Sequence, residues 1–193
     1  MQNQLDSSIV IPTYWARHAP KATDVVYDHP TALNENGTLG RLLESVKILK
    51  NKDFGIIIIS VPTAEDIVEE VKAKVDKIIK PFKDLYPIHH FSYLDMVRLQ
   101  KTIKGLGKLE YLPYISLQGY SDVRNVCLIL PHLLGATVAI LIDDDEVFED
   151  PEFINKAQEF VGENNLYGVA GYYIQPWGDY NNQQHHKIGR AHV

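Results

Sequence analysis

Apolar residues in this chain fall into two kinds of run, and the two kinds alternate. Ser8-Ile9-Val10-Ile11-Pro12-Thr13, Phe54 to Val61 (with Ile56-Ile57-Ile58-Ile59 inside it) and Thr137-Val138-Ala139-Ile140-Leu141-Ile142 are β-branched and too short for buried helices. They read as buried strands. Pro12 is expected to end the first and Pro62 the second. Ile88 to Tyr93 and Gly168 to Ile174 are further strand candidates. Between these runs, apolar residues recur at helical spacing. Leu39, Leu42, Leu43, Val46 and Leu49 form one stripe behind Thr38, which reads as an N-cap. Ile67, Val68, Val71, Val75, Ile78 and Ile79 form a second, with Thr63 as cap, Asp66 in the reciprocal capping position and Pro81 as stop. Leu94 to Ile103 reads as a helix. Ser121 opens another, with Val123, Val126, Cys127, Leu130 and Leu134 on one face, a kink expected at Pro131 and Gly135 as C-cap. A last helix is expected from about Pro151 to Val161.

Such alternation implies an α/β fold: a mostly parallel central sheet with helices on both faces. Right-handed crossovers bring the strand carboxyl ends to one edge, where ligands of such sheets bind. Residues 15 to 37 have no clean period and contain Pro20, Pro30 and Gly37. Irregular stretches of this length are uncommon in compact domains and often functional. This one carries Arg17, His18, Lys21, Asp28 and His29.

Asp143-Asp144-Asp145-Glu146 follows the third apolar run directly. Four carboxylates at a strand end repel one another unless something neutralises them. A hard divalent cation with oxygen ligands suits that task and often brings phosphate with it. A solvated acidic turn opening the next helix is the plainer alternative. In the parallel-sheet reading, Thr13-Tyr14 and the acidic cluster share an edge, and two polar features converging there favour a site.

Bulk composition narrows the classes. The chain has 193 residues, 45% hydrophobic and 23% charged, as ordinary globular proteins do. A net charge of −6 argues against a general nucleic-acid binder, which needs a basic footprint. Cys127 is the single cysteine, so no internal disulfide forms, which fits a reducing compartment. Met1 to Ser8 is polar and lacks a signal-peptide core, and no apolar run is long enough to span a membrane. A cytoplasmic protein is expected. Ile188 to Val193 resembles the translation of a sequencing adapter. A domain covering 1–187, continuing in the gene beyond about His186, is therefore expected, with 188–193 as an artificial tail.

Ser8 to Tyr14 resembles the opening strand of family-two-type glycosyltransferases with the GT-A fold. Arg124-Asn125 in a helix, then Gly135, then Ile140 to Asp145 is similar to that family's later signature, a strand ending in Asp-x-Asp. The resemblance covers roughly residues 7 to 175. It implies a catalytic domain that transfers a sugar from a UDP- or GDP-linked donor to an acceptor the sequence does not identify. Pro12, Thr13, Tyr14, Arg124, Asn125, Asp143 and Asp144 would bind the donor. Asp143 and Asp145 would hold a Mg²⁺ or Mn²⁺ ion, with Asp144 pointing the other way, or Asp144 and Glu146 would do so if the register slips by one. The family's acidic pair after the second strand has no close counterpart at Ser60 to Thr63, where only Glu65 and Asp66 follow. Base recognition is expected to have weakened or moved to the 15–37 stretch. The family's general base lies well beyond the metal motif, so no catalytic residue is assigned; Asp179 reads as a turn residue, with an acid of the acceptor region as the alternative.

Two other readings use the same residues. Asp143-x-Asp145-x-Val147 matches the first motif of haloacid-dehalogenase-type, Mg²⁺-dependent phosphatases, with Asp143 as nucleophile and Asp145 as general acid. A non-catalytic nucleotide-binding fragment is the other. His89-His90 and His185-His186 lack zinc-site spacing and read as structural or exposed. Cys127 reads as core. Tyr172-Tyr173 and Trp177 could stack on a sugar.

Overall fold

Strand β1 (Ser7–Ala16) is the axis of a parallel sheet. In the computed structural model, residues 7–162 and 167–171 are described. One flank of β1 pairs along its length with β3 (Gly55–Pro62), which pairs in turn with β4 (Ile88–Phe91). The other flank is shared. β5 (Val138–Leu141) covers Ser7 to Val10, and the two-residue β2 (Thr31–Ala32) covers Trp15 and Ala16. Every pairing is parallel. The expected α/β class and mostly parallel sheet are therefore found.

Pro12 does not end the first strand; β1 runs through it for four more residues. The reason lies in the shared flank. The Ile142 N–H donates to the Val10 carbonyl, and the Leu33 N–H to the Ala16 carbonyl. Peptide groups alternate sides along a strand, so residue 12 faces the same flank as 10 and 16. There it lies past the end of β5 and short of β2. The missing N–H of proline falls where no strand needs it.

Helices cover both faces, as expected. Alternation along β1 and β3 sends Ile9, Ile11, Ile56 and Ile58 into one core with α1 (Leu39–Ser45), α2 (Val68–Ile79) and α5 (Phe153–Gln158). Val10, Tyr14, Ile57 and Ile59 enter the other, with α3 (Tyr93–Gly105) and α4 (Tyr120–Leu133). Gly135, at φ +82°, follows the end of α4 in the left-handed conformation that glycine adopts freely. Pro131 is accommodated within that helix.

Two caps differ from expectation. Thr38 occupies the N-cap of α1, but its hydroxyl makes no cap bond and serves Asp144 instead. Thr63 caps nothing. The short 3₁₀ turn Glu65–Ile67 precedes α2, and Asp66 is drawn off by Arg17. The capping box forms at α3, where Ser92 and Asp95 bond reciprocally. Residues 168–171 form no strand, and the rest of the candidate to Ile174 lies outside the described residues. Among those residues no helix is long and apolar enough to cross a membrane.

Candidate functional site at the carboxyl edge

Parallel pairing of β1 with β5 puts Thr13 and the acidic turn on one edge, and a side-chain bond joins them. Thr13 Oγ1 donates to Asp144 Oδ2 at 2.5 Å. Asp144 is thereby turned toward the α1 face, between Thr13 and Thr38. Asp143 turns the opposite way, toward α4, where Arg124 Nη2 donates to its Oδ1 at 2.6 Å. The divergence follows the strand alternation expected for these two residues. Asp145 is exposed, and its backbone carbonyl accepts Arg41 Nη2 from α1 at 2.8 Å. Glu146 closes the turn. Its Oε2 accepts the Asp143 N–H and its own N–H reaches the Asp143 carbonyl, both at 3.1 Å.

The cluster is short of positive charge. Burial pushes the Asp144 carboxyl up to about 6; the Thr13 and Thr38 hydroxyls pull the other way, while the charges of Asp145 and Asp143 add to the rise. Burial raises Glu146 as well, helped by the same two neighbours. Arg124 is the cation bonded to an acidic side chain of the turn. Burial works against its charge, but Tyr120 and Asp143 outweigh that and hold the guanidinium protonated. Tyr120 does so twice over: its hydroxyl accepts Arg124 Nη2 at 2.6 Å, and its ring lies 5.0 Å from the guanidinium carbon.

The remaining sequence-predicted residues divide. Tyr14 is enclosed in an aromatic trio, 4.7 Å from the Tyr27 centroid and 6.2 Å from that of Tyr120, so its ring offers no free face for stacking. Asn125 does not join the cluster; its Nδ2 donates to the Tyr114 carbonyl. Pro12 lies at the open flank of β1. Among the described residues no group of three or more His, Cys, Asp or Glu side chains converges as a ready metal cage. Asp179, Tyr172, Tyr173, Trp177, His185 and His186 lie outside the described residues.

Sequence reasoning missed a second cluster on this edge. Arg17, just past β1, donates through Nε and Nη2 to Asp24, and through Nη1 and Nη2 to Asp66. That double fork ties the irregular 15–37 stretch to the start of α2, and the Val25 N–H adds a bond to the Thr63 carbonyl. A cavity of about 440 Å³ opens there, lined by Arg17, Lys21, Asp24, Thr63, Asp66 and Gln118. The Thr63 hydroxyl, in its wall, is buried with no hydrogen-bond partner among the described residues. Arg17 and its acids were individually visible in the sequence; their convergence across 49 residues was not.

Neither a scan against models of known protein families nor a search of curated proteins finds a match for the chain.

Proposed function

We propose that this chain is a metal-dependent glycosyltransferase catalytic domain of GT-A type, working in the cytoplasm on a UDP- or GDP-linked sugar. The Thr13–Asp144 bond carries the reading, because it joins the end of the first strand to the acidic turn on one sheet edge. The charge imbalance of the turn supports it. Four carboxylates with one ion-paired arginine among the described residues make an all-oxygen donor set that suits Mg²⁺ or Mn²⁺. Such an ion takes one or two protein carboxylates and fills its shell with water and phosphate, so a three-residue cage is not required. Asp143 and Asp145 would hold it. When bound, the ion would neutralise charge on a diphosphate leaving group.

Each residue on the edge has a part in this reading. Arg124 keeps its charge and meets the phosphates beside Asp143. Thr13 and Thr38 hold Asp144 against the α1 face, which fixes the backbone of the turn. The cavity beside Arg17 receives the nucleoside, and the Thr63 hydroxyl offers it an unused donor and acceptor. Tyr14 acts as packing for the wall and not as a stacking platform.

A thermal-shift panel tests the proposal: UDP, GDP, ADP and CDP, each with and without Mn²⁺, at pH 7.5. UDP or GDP is expected to raise Tm only when the metal is present, since a ligand that binds the folded state stabilises it by mass action. Stabilisation by none of the nucleotides, or stabilisation indifferent to metal, refutes it.

A further inference from the structure

Away from the acidic turn, on the α2 side of the sheet, three polar side chains stand in a line. His90 Nε2 lies 2.8 Å from Ser60 Oγ, and His90 Nδ1 lies 2.9 Å from Asp76 Oδ1. They have the order of a hydrolase triad. Ser60, however, is 1% exposed and does not line the cavity beside Arg17, so no acyl substrate reaches it.

The proton positions follow from chemistry. Asp76 accepts Lys72 Nζ at 2.6 Å, and Lys72 and His90 hold its carboxyl below the usual range even though burial opposes them. An ionised carboxylate only accepts, so Nδ1 of His90 carries the proton. Nε2 of the neutral ring is then an acceptor, and the Ser60 hydroxyl donates to it. Burial lowers the His90 pKa, against the pull of Asp76, so the ring is neutral at neutral pH. Facing this group are Asp76 and Lys72 from α2, Lys83 just after it (4.0 Å from Asp76), Asp95 from α3 and Ser60 from β3.

Protonating the ring turns Nε2 into a donor. The Ser60 hydroxyl must then accept, and its own proton needs a new partner. Thr13 is the register partner of Ser60 on β1. Strand alternation puts both on the face that carries Ile11 and Ile58. The Thr13 oxygen donates its proton to Asp144 and keeps lone pairs to accept one.

We propose that Ser60, His90 and Asp76 form a proton-operated latch, in which protonation of the ring swings the Ser60 hydroxyl from β4 to Thr13 and links α2 to the acidic turn by one line of hydrogen bonds. The latch goes beyond the glycosyltransferase reading and needs only the fold. Its test is NMR on the full chain, ¹⁵N-labelled at histidine and ¹³C-labelled at threonine methyls, titrated from pH 8.5 to 5, with His90 and Thr13 assigned through the backbone. His90 is expected to show the Nδ1–H tautomer at high pH and to titrate below the ordinary imidazole range, because burial disfavours its charged form. The Thr13 methyl is expected to show two inflexions, one from its partner Asp144, whose carboxyl lies at about 6, and one at the His90 midpoint. Asp76→Asn removes the carboxylate that favours the charged ring, so it lowers the His90 midpoint and the Thr13 inflexion that matches it together. The Nε2–H tautomer, or a Thr13 signal without an inflexion at the His90 midpoint, overturns the latch. If Asp76→Asn does not fold, Lys72→Met serves: it removes a cation that disfavours the charged ring, so the His90 midpoint and the Thr13 inflexion that matches it rise together, and a Thr13 signal with no inflexion that moves with His90 overturns the latch.

Discussion

Two acidic clusters share the carboxyl edge of this sheet, and their electrostatics are opposite. Around Arg17, two carboxylates face one forked guanidinium and the Lys21 ammonium, 3.4 Å from Asp66, and Asp24 and Asp66 both lie below the ordinary range, Asp66 at about 2. In the turn after β5, four carboxylates share one ion-paired cation among the described residues, Arg124, and Asp144 and Glu146 lie above the ordinary range. A matched cluster is complete in itself and explains its own presence by tying a loop to a helix. A mismatched one carries a cost that a bound cation would remove. That contrast, more than the acidic residues themselves, locates the candidate site.

The largest effect expected from breaking the contrast is at Asp144. Its folded pKa is about 6 against an ordinary 3.8, so between those values the folded state binds more protons than the unfolded. Stability from this group therefore falls as pH rises from about 4 to about 6, by roughly 3 kcal/mol in all. Asp144→Asn keeps an acceptor for Thr13 and removes the charge. Its stability at pH 7.5 is expected to exceed wild type by up to about 3 kcal/mol, with the gap closing toward pH 4. Urea unfolding of both proteins across that range measures it; a gap that does not change with pH contradicts the assigned burial.

Next comes Arg124→Met, which leaves Asp143 without its partner. A lost hydrogen bond between charged groups costs about 2 kcal/mol, and the loss should shrink in the presence of Mn²⁺ if the ion takes over the neutralising role. Asp66→Asn should have the smallest effect. Asp24 still holds Arg17 through Nε and Nη2, so Tm is expected to stay close to wild type while the cavity loses one acid. A large drop in Tm there would mean that the matched cluster depends on both carboxylates.

The sheet and its helices were legible in the sequence because burial on both faces leaves β-branched runs such as Ile56 to Ile59, and burial on one face leaves stripes such as Val68, Val71 and Val75. What stayed hidden depended on distance. Pro12 reads as a strand end until the gap between β5 and β2 is known. Thr38 and Thr63 read as caps because nothing local says that one hydroxyl is claimed by Asp144 and the other is buried beside a cavity. The acidic turn was visible at once, and so was the alternation that parts Asp143 from Asp144, but their pairing with Arg124 and Thr13, 19 and 131 residues away, was not. Tyr14 followed the expected motif, yet Tyr27 and Tyr120, 13 and 106 residues away, decide that its ring is packing.

Mn²⁺ binding followed by electron paramagnetic resonance puts the charge-deficit claim to the most direct test. Protein is added to a fixed concentration of Mn²⁺ at pH 7.5, with and without UDP or GDP, and the signal of free ion is read. The signal is expected to fall on addition of wild-type protein with nucleotide, beyond the fall with nucleotide alone, and to recover in Asp143→Asn and Asp145→Asn. A signal that wild-type protein leaves unchanged, or one that both variants quench as strongly as wild type, would contradict it.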